Sequence, residues 1–262
     1  MILSRITQHL KQQNWTAVAI ELLIVVLGVF IGMQVSNWNA AQAEKRLGRL
    51  YTQRLTDDLQ KDFAAHRAVV AYYTAVLDSV ERANRLLADP RSDARELVIH
   101  AYRASEVVNA PRTRATWDEI VSSGDTGLLP PDALASGIAD HFAGDAMRDA
   151  YERISESPYR RRVRSIVPLE VQEAIRAGCS DITIGSLQTI GFVPGCRIEV
   201  DDGALVATAA ALRADPQLAA DLRFQYSTVL SGRGVIVSAM HYLETSLVAL
   251  GSAPPVPEGL SE

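Results

Sequence analysis

The chain is predicted to be mainly α-helical: an N-terminal transmembrane helix, then a long-helix antiparallel bundle with one loop or β-hairpin insertion. Three observations predict this class. The run between Trp15 and Trp38 is almost wholly apolar. Two long stretches, 40–87 and 216–250, repeat apolar residues at three- and four-residue intervals, the period of one helix face. One segment, 178–203, is rich in Gly, Ser, Thr and Ile and lacks that period.

The first element is the apolar run. TAVAIELLIVVLGVFIGMQVSN contains one ionisable residue, Glu21. At 1.5 Å per residue the two tryptophans stand roughly 35 Å apart on a helix, enough for a hydrocarbon core of roughly 30 Å. Tryptophan favours the interface, so one at each end suits a span. Residues 1–14 are then a short tail and 15–38 the transmembrane helix. Ala41-Gln42-Ala43 is an A-x-A triplet that signal peptidase recognises, so cleavage is the alternative to a retained anchor. The apolar run is longer than a usual signal-peptide core, which favours the anchor.

Gly28 and Gly32 form a G-x-x-x-G pair, through which two helix backbones approach closely. Extended along that face, the stripe reads Glu21, Val25, Gly28, Gly32 and Ser36. One reading is a self-association face sheltering the carboxylate, since charges within membranes usually face protein. The other is Glu21 reaching for the headgroups beside incidental glycines. Flanking charge is nearly balanced: Arg5 and Lys11 before the run, Lys45, Arg46, Arg49 and Arg54 with Glu44 after it. Two cysteines suit an oxidising compartment. The expected arrangement is the bacterial inner membrane, N-terminus cytoplasmic and domain periplasmic.

The segment Glu21 to Asn39 resembles the N-terminal signature of a family of single-pass bacterial membrane proteins with no assigned activity. Glu21, Gly28, Gln34, Asn37, Trp38 and Asn39 occupy the signature positions. Trp117-Asp118-Glu119-Ile120, with Ser123-Gly124 and Gly127-Leu128-Leu129, is similar to a helix-and-turn motif of the same proteins. The resemblance implies a membrane-anchored helical protein and carries no catalytic residue.

Residues 39–250 are expected to form the extramembrane domain. Its first helix runs to about 87, with Leu55, Leu59, Phe63, Val70, Tyr73, Leu77 and Val80 inward; Asp89-Pro90 ends it. A second fits 93–108. Thr116 and Glu119 fit a capping box, and Gly124 a left-handed C-cap. One helix is expected from Pro130 to about 157, with Leu134, Ile138, Phe142, Met147, Tyr151 and Ile154 as core contacts. Another spans 159–177, broken at Pro168. Within 178–203 a short hairpin pairs 182–187 with 198–200. Cys179 and Cys196 bracket it, and a disulfide there closes a loop of about 18 residues, worth roughly 3 kcal/mol. The last helix fits 216–250, with a weak point at Gly232 and Gly234. Two helices this long would pair as an antiparallel spine. Residues 251–262 (GSAPPVPEGLSE) read as a disordered tail.

Little in the chain speaks of chemistry. The formal charge of −5 argues against a nucleic-acid partner. No HExxH, GxSxG, Walker or dinucleotide motif occurs. Five histidines are scattered; His241/Glu244 and Glu96/His100 are isolated pairs, too few donors for a metal site, and no cofactor is expected. His66 lies on an apolar stripe and reads as a hydrogen-bonded core histidine. The one concentration of charge is Arg160, Arg161, Arg162 and Arg164, a candidate patch for an anionic partner because guanidinium pairs bidentately with phosphate, sulfate or lipid headgroups. A surface partly paired with Glu152, Glu156, Glu170 and Glu173 is the plainer reading.

These readings converge on a non-enzymatic, membrane-anchored scaffold that forms homo-oligomers and meets an envelope protein partner. The alternative is a periplasmic sensor-like domain that binds a ligand beside Trp117, Tyr102 and Tyr226 and signals through a partner.

Overall fold

A computed structural model describes residues 15–184 and 188–255. The expected tail at 1–14 lies outside the described residues. The chain divides into two compact units, Met1–Tyr51 and Thr52–Glu262.

The first helix, α1 (Trp15–Ala88), is 74 residues long. In the first unit its apolar side chains from Ile20 to Val35 are all exposed, from 48% at Leu27 to 64% at Leu22. Ala19–Ala88 is long and apolar enough to cross a membrane, with a window of mean hydropathy 2.2 and none of that window buried.

In the second unit, α1 buries Leu55, Leu59, Val69, Tyr72, Tyr73, Val76 and Val80. It ends just before Asp89-Pro90, as the proline's bias against a preceding α residue requires. Next, α2 (Ala94–Arg103) starts where expected, because the Asp93 carboxylate accepts from the Glu96 N–H at 2.8 Å. It stops five residues before the expected 108. The cause is tertiary: Gln225 donates to the Ala104 carbonyl at 3.0 Å and Arg160 to that of Ser105, so distant side chains satisfy the end of the helix.

In α3 (Ala115–Ser123) the expected capping box does not form. The Thr116 hydroxyl donates instead to Asp58 Oδ2 at 2.6 Å, tying α3 to α1. Gly124 takes the left-handed cap expected of it, at φ 77°, and a 3₁₀ turn follows at Asp125–Leu128.

The single helix expected over 130–157 is three: α4 (Pro131–Ala135), α5 (Ile138–Ala143) and α6 (Ala146–Ser155). Gly137 makes the first break at φ 88°. A Cβ there would sit 2.7 Å from Tyr242 Cδ1, so glycine serves both the turn and the close approach. Gly144 makes the second, after which Asp145 caps α6 through Arg148 N–H. Leu134, expected in the core, is 41% exposed as a result of this rearrangement. Pro168 separates α7 (Pro158–Ile166) from α8 (Leu169–Gly178), as expected.

A two-stranded antiparallel hairpin joins β1 (Asp181–Ile184) to β2 (Gln188–Phe192), with Asp181 opposite Phe192. The expected partner, 198–200, forms no strand; Arg95 donates to the Ile198 carbonyl at 2.7 Å and docks that segment on α2. The Cys179–Cys196 disulfide is formed.

The helix α9 (Asp202–Ala214) was not expected; it is capped by Asp201 and packs on α2. The last helix, α10 (Leu218–Ala249), is unbroken at Gly232 and Gly234. Gly232 is buried against α6, where a Cβ would stand 3.2 Å from Ala150 Cβ, so the glycine lets two helices meet rather than weakening one. Residues 251–255, expected to open a disordered tail, are packed instead: Gln60 donates to Ser252 Oγ at 2.9 Å and Arg67 to the Pro255 carbonyl at 3.1 Å. The rest of that tail lies outside the described residues.

The antiparallel spine is present. Gln60 meets Ser252, Thr74 meets Arg233, and Val80 and Asn84 face Leu222 and Tyr226. As one number rises the other falls, so α1 and α10 run in opposite directions.

Candidate functional site

The residues of the expected association face, Glu21, Gly28, Gly32 and Ser36, lie in the exposed part of α1. A Cβ at Gly28 or Gly32 would meet nothing within 4 Å. The groove along this face is open, with apolar side chains on both sides of it.

The arginine cluster has a different fate from the one its sequence suggested. Arg164 lies over the Tyr102 ring at 4.1 Å, donates to the Tyr102 hydroxyl at 2.7 Å and pairs with Glu106 at 2.9 Å. Arg160 approaches the same Glu106 at 3.9 Å. Burial and the neighbouring Arg164 hold the Arg160 guanidinium below its usual pKa. Arg162 turns the other way, to Asp221 at 2.6 Å and Asp215 at 3.5 Å. Three of the four guanidinium groups are therefore fasteners between α7, the end of α2, and α10. Arg161 alone is exposed without an ion pair among the described residues. The four do not form a common anion-binding surface, and their acids are Glu106, Asp215 and Asp221 rather than the nearby glutamates expected.

The three aromatic residues proposed to line a sensor pocket stand apart. Trp117 stacks on Phe142 at 5.1 Å. Tyr102 is buried under Arg164. Tyr226 borders the groove between α1 and α10 with Val80, Asn84 and Leu222. Among the described residues, neither Trp117 nor Tyr102 lines the groove that Tyr226 borders.

A buried polar cluster escaped the sequence reading. Asp62, fully buried on α1, accepts from the Thr113 N–H at 2.8 Å. His141 Nε2 stands 3.3 Å from its carboxylate and Arg112 Nε 4.0 Å away. Arg112 also donates to the carbonyls of His141 and Gly144. His66 is the buried, hydrogen-bonded histidine expected: its Nδ1 lies 2.7 Å from the Asp62 carbonyl and its ring 5.8 Å from that of His141. Burial, the largest cause, pushes the His66 pKa below 6.5, and His141 and Arg112 push the same way. The one sequence signal was the i, i+4 spacing of Asp62 and His66; nothing marked His141. Arg112 Nε is buried without a hydrogen-bond partner, and the cluster joins α1 to the turn before α3 and to α5. Among the described residues no group of three His, Cys, Asp or Glu side chains has the arrangement of a metal site.

Protein-family models, curated proteins and solved structures give no match to this chain. Its function is therefore argued from its own residues.

Proposed function

We propose that this protein is a membrane-anchored interaction protein of the bacterial envelope, with α1 as its single span and the disulfide-bearing domain in the periplasm. The carrying observation is the exposed apolar face from Ile20 to Val35. Soluble monomers rarely expose more than a few hundred Å² of contiguous apolar surface, and burying one large aliphatic side chain is worth about 1.5–3 kcal/mol. A bilayer supplies that burial. The disulfide supports the oxidising side, where such bonds persist.

Within the membrane, spans associate through close backbone packing rather than through the hydrophobic effect. The open groove at Gly28 and Gly32 supports self-association there, with Glu21 and Ser36 on the same face. The folded domain then serves as the surface that meets an envelope protein.

Three experiments test this reading. Alkaline extraction of membranes should leave the protein in the pellet; release into the supernatant overturns the anchor. Replacing both Gly28 and Gly32 by isoleucine should abolish in-membrane cross-linking of copies, and unchanged cross-linking overturns the association face. Orientation follows from a membrane-impermeant thiol reagent on intact cells: Cys179 and Cys196 should label only after reduction. Labelling that requires lysis and no reductant places the domain in the cytoplasm.

A further inference from the structure

A cleft of about 190 Å³ opens beside the disulfide. Arg103 and Glu106 come from the end of α2, Arg176 and Cys179 from the end of α8, and Asp181 and Phe192 from the first rung of the hairpin. The disulfide ties the end of α8 to the segment after the hairpin, and the Asp181–Phe192 pairing fixes the hairpin's first rung beside it.

Arg103 is only 7% exposed. Its guanidinium stands 4.9 Å over the Phe192 ring, and one Nη2 donates to the Val193 carbonyl at 2.8 Å. Its Nε is buried without a hydrogen-bond partner, and Nη1 makes no hydrogen bond among the described residues. A guanidinium has five N–H donors, and buried ones are nearly always satisfied. This one leaves its Nε–H unsatisfied. Arg176 lies 6.0 Å over the Tyr102 ring.

The acids divide unequally. Glu106 is engaged by Arg164 and Arg160. Asp181 accepts one side-chain hydrogen bond among the described residues, from the Tyr72 hydroxyl at 3.4 Å. Among the described residues no ion pair within 4.0 Å joins Asp181 to Arg103 or Arg176, although all three line the same cleft. Burial, then the nearby Glu106, raises the Asp181 carboxyl above its usual pKa, while the Tyr72 hydroxyl, Arg176 and Arg103 pull it the other way. The cleft is therefore lined by two guanidinium groups and a carboxylate that close no ion pair with one another within 4.0 Å among the described residues.

We infer that this cleft binds a small zwitterion of the amino-acid class, its carboxylate between Arg103 and Arg176 and its ammonium on Asp181. A ligand bearing only one charge would leave the lining charge of the same sign without a partner. The volume limits size: at about 30 Å³ per water it holds roughly six waters, well under the 300–1,000 Å³ of drug-sized pockets. This inference is independent of the anchor and of its orientation.

The test is calorimetric titration of the full chain in detergent with glycine, L-alanine and L-serine, beside acetate and methylammonium as single-charge controls. At least one zwitterion should bind at least tenfold more tightly than either control. Arg176→Gln and Asp181→Asn, both at the exposed mouth, should each weaken that binding tenfold or more while leaving the circular dichroism spectrum unchanged. Asp181→Asn should leave acetate binding within twofold, because only the ammonium contact is lost. Absence of binding by all three zwitterions overturns the proposal. So does acetate binding as tightly as the best zwitterion, or a Kd that neither variant moves. None of these outcomes bears on membrane extraction, so failure here leaves the anchor reading standing.

Discussion

Reducing the Cys179–Cys196 bridge, or replacing both cysteines by alanine, removes a constraint on a segment of sequence separation 17. In the chain-entropy account the cross-link restricts the unfolded ensemble, and a loop of this size is worth about 3 kcal/mol at 25 °C. For a domain of 150–250 residues, about 1 kcal/mol moves Tm by roughly 2–4 °C, so the expected fall is about 6–12 °C. The double variant should fall slightly further, because Cys179 is 5% exposed and its sulfur leaves a small void. The assay is thermal unfolding of the full chain in detergent, followed by circular dichroism, with and without a phosphine reductant. Thiol titration under denaturing conditions should count no free thiols before reduction and two after. A wild-type Tm that moves by less than about 2 °C on complete reduction refutes the reasoning. It would mean that the docking of 196–200 on α2 and α8 already fixes this loop, or that the unfolded chain retains the same restriction.

Other perturbations have clear signs. Gly178→Ala places a Cβ 1.9 Å from the Arg197 carbonyl oxygen, which is backbone and cannot swing away; overpacking of this kind should cost about 3 kcal/mol, readable as a lowered urea midpoint. Asp62→Ala strips the acceptor from the Thr113 N–H and the charge beside Arg112 and His141, so a loss of about 3–5 kcal/mol is expected; a change below 1 kcal/mol would show that the cluster is not a structural clamp. His66 has a folded pKa below its unfolded value of 6.5. The unfolded chain therefore binds the proton first as pH drops, and stability should decline below about pH 6.5. His66→Gln should make that decline shallower, without removing it, because burial also lowers the His100 pKa.

The features legible in the sequence are those decided by near neighbours. Asp93 starts α2 because a carboxylate can reach an N–H three residues on. Gly124 ends α3 because only glycine enters the left-handed region without strain. Pro90 and Pro168 bound helices by steric conflict with the residue before them. The apolar run at 20–35, the helical period of α1 and α10, and two cysteines flanking one irregular segment are likewise local patterns. Each follows from the chemistry of adjacent residues.

The rest depended on which distant groups meet. No local pattern shows that Gln225 takes the Ala104 carbonyl and ends α2 early, or that Thr116 turns from capping its own helix to Asp58. The arginines of α7 looked like a surface patch because their acids, Glu106, Asp215 and Asp221, are more than fifty positions away. The cleft at Arg103 joins residues from 103 to 192, and the Asp62 cluster joins residues from 62 to 141. The sequence by itself therefore determined where α2 begins, where Gly124, Pro90 and Pro168 bound helices, and which segment is almost wholly apolar. Tertiary structure decided the partners of the charges and the site that three charges left open. A helix cap or an apolar stripe is satisfied within one or two turns, whereas a buried charge takes its partner from whatever elements the packing of the core brings beside it.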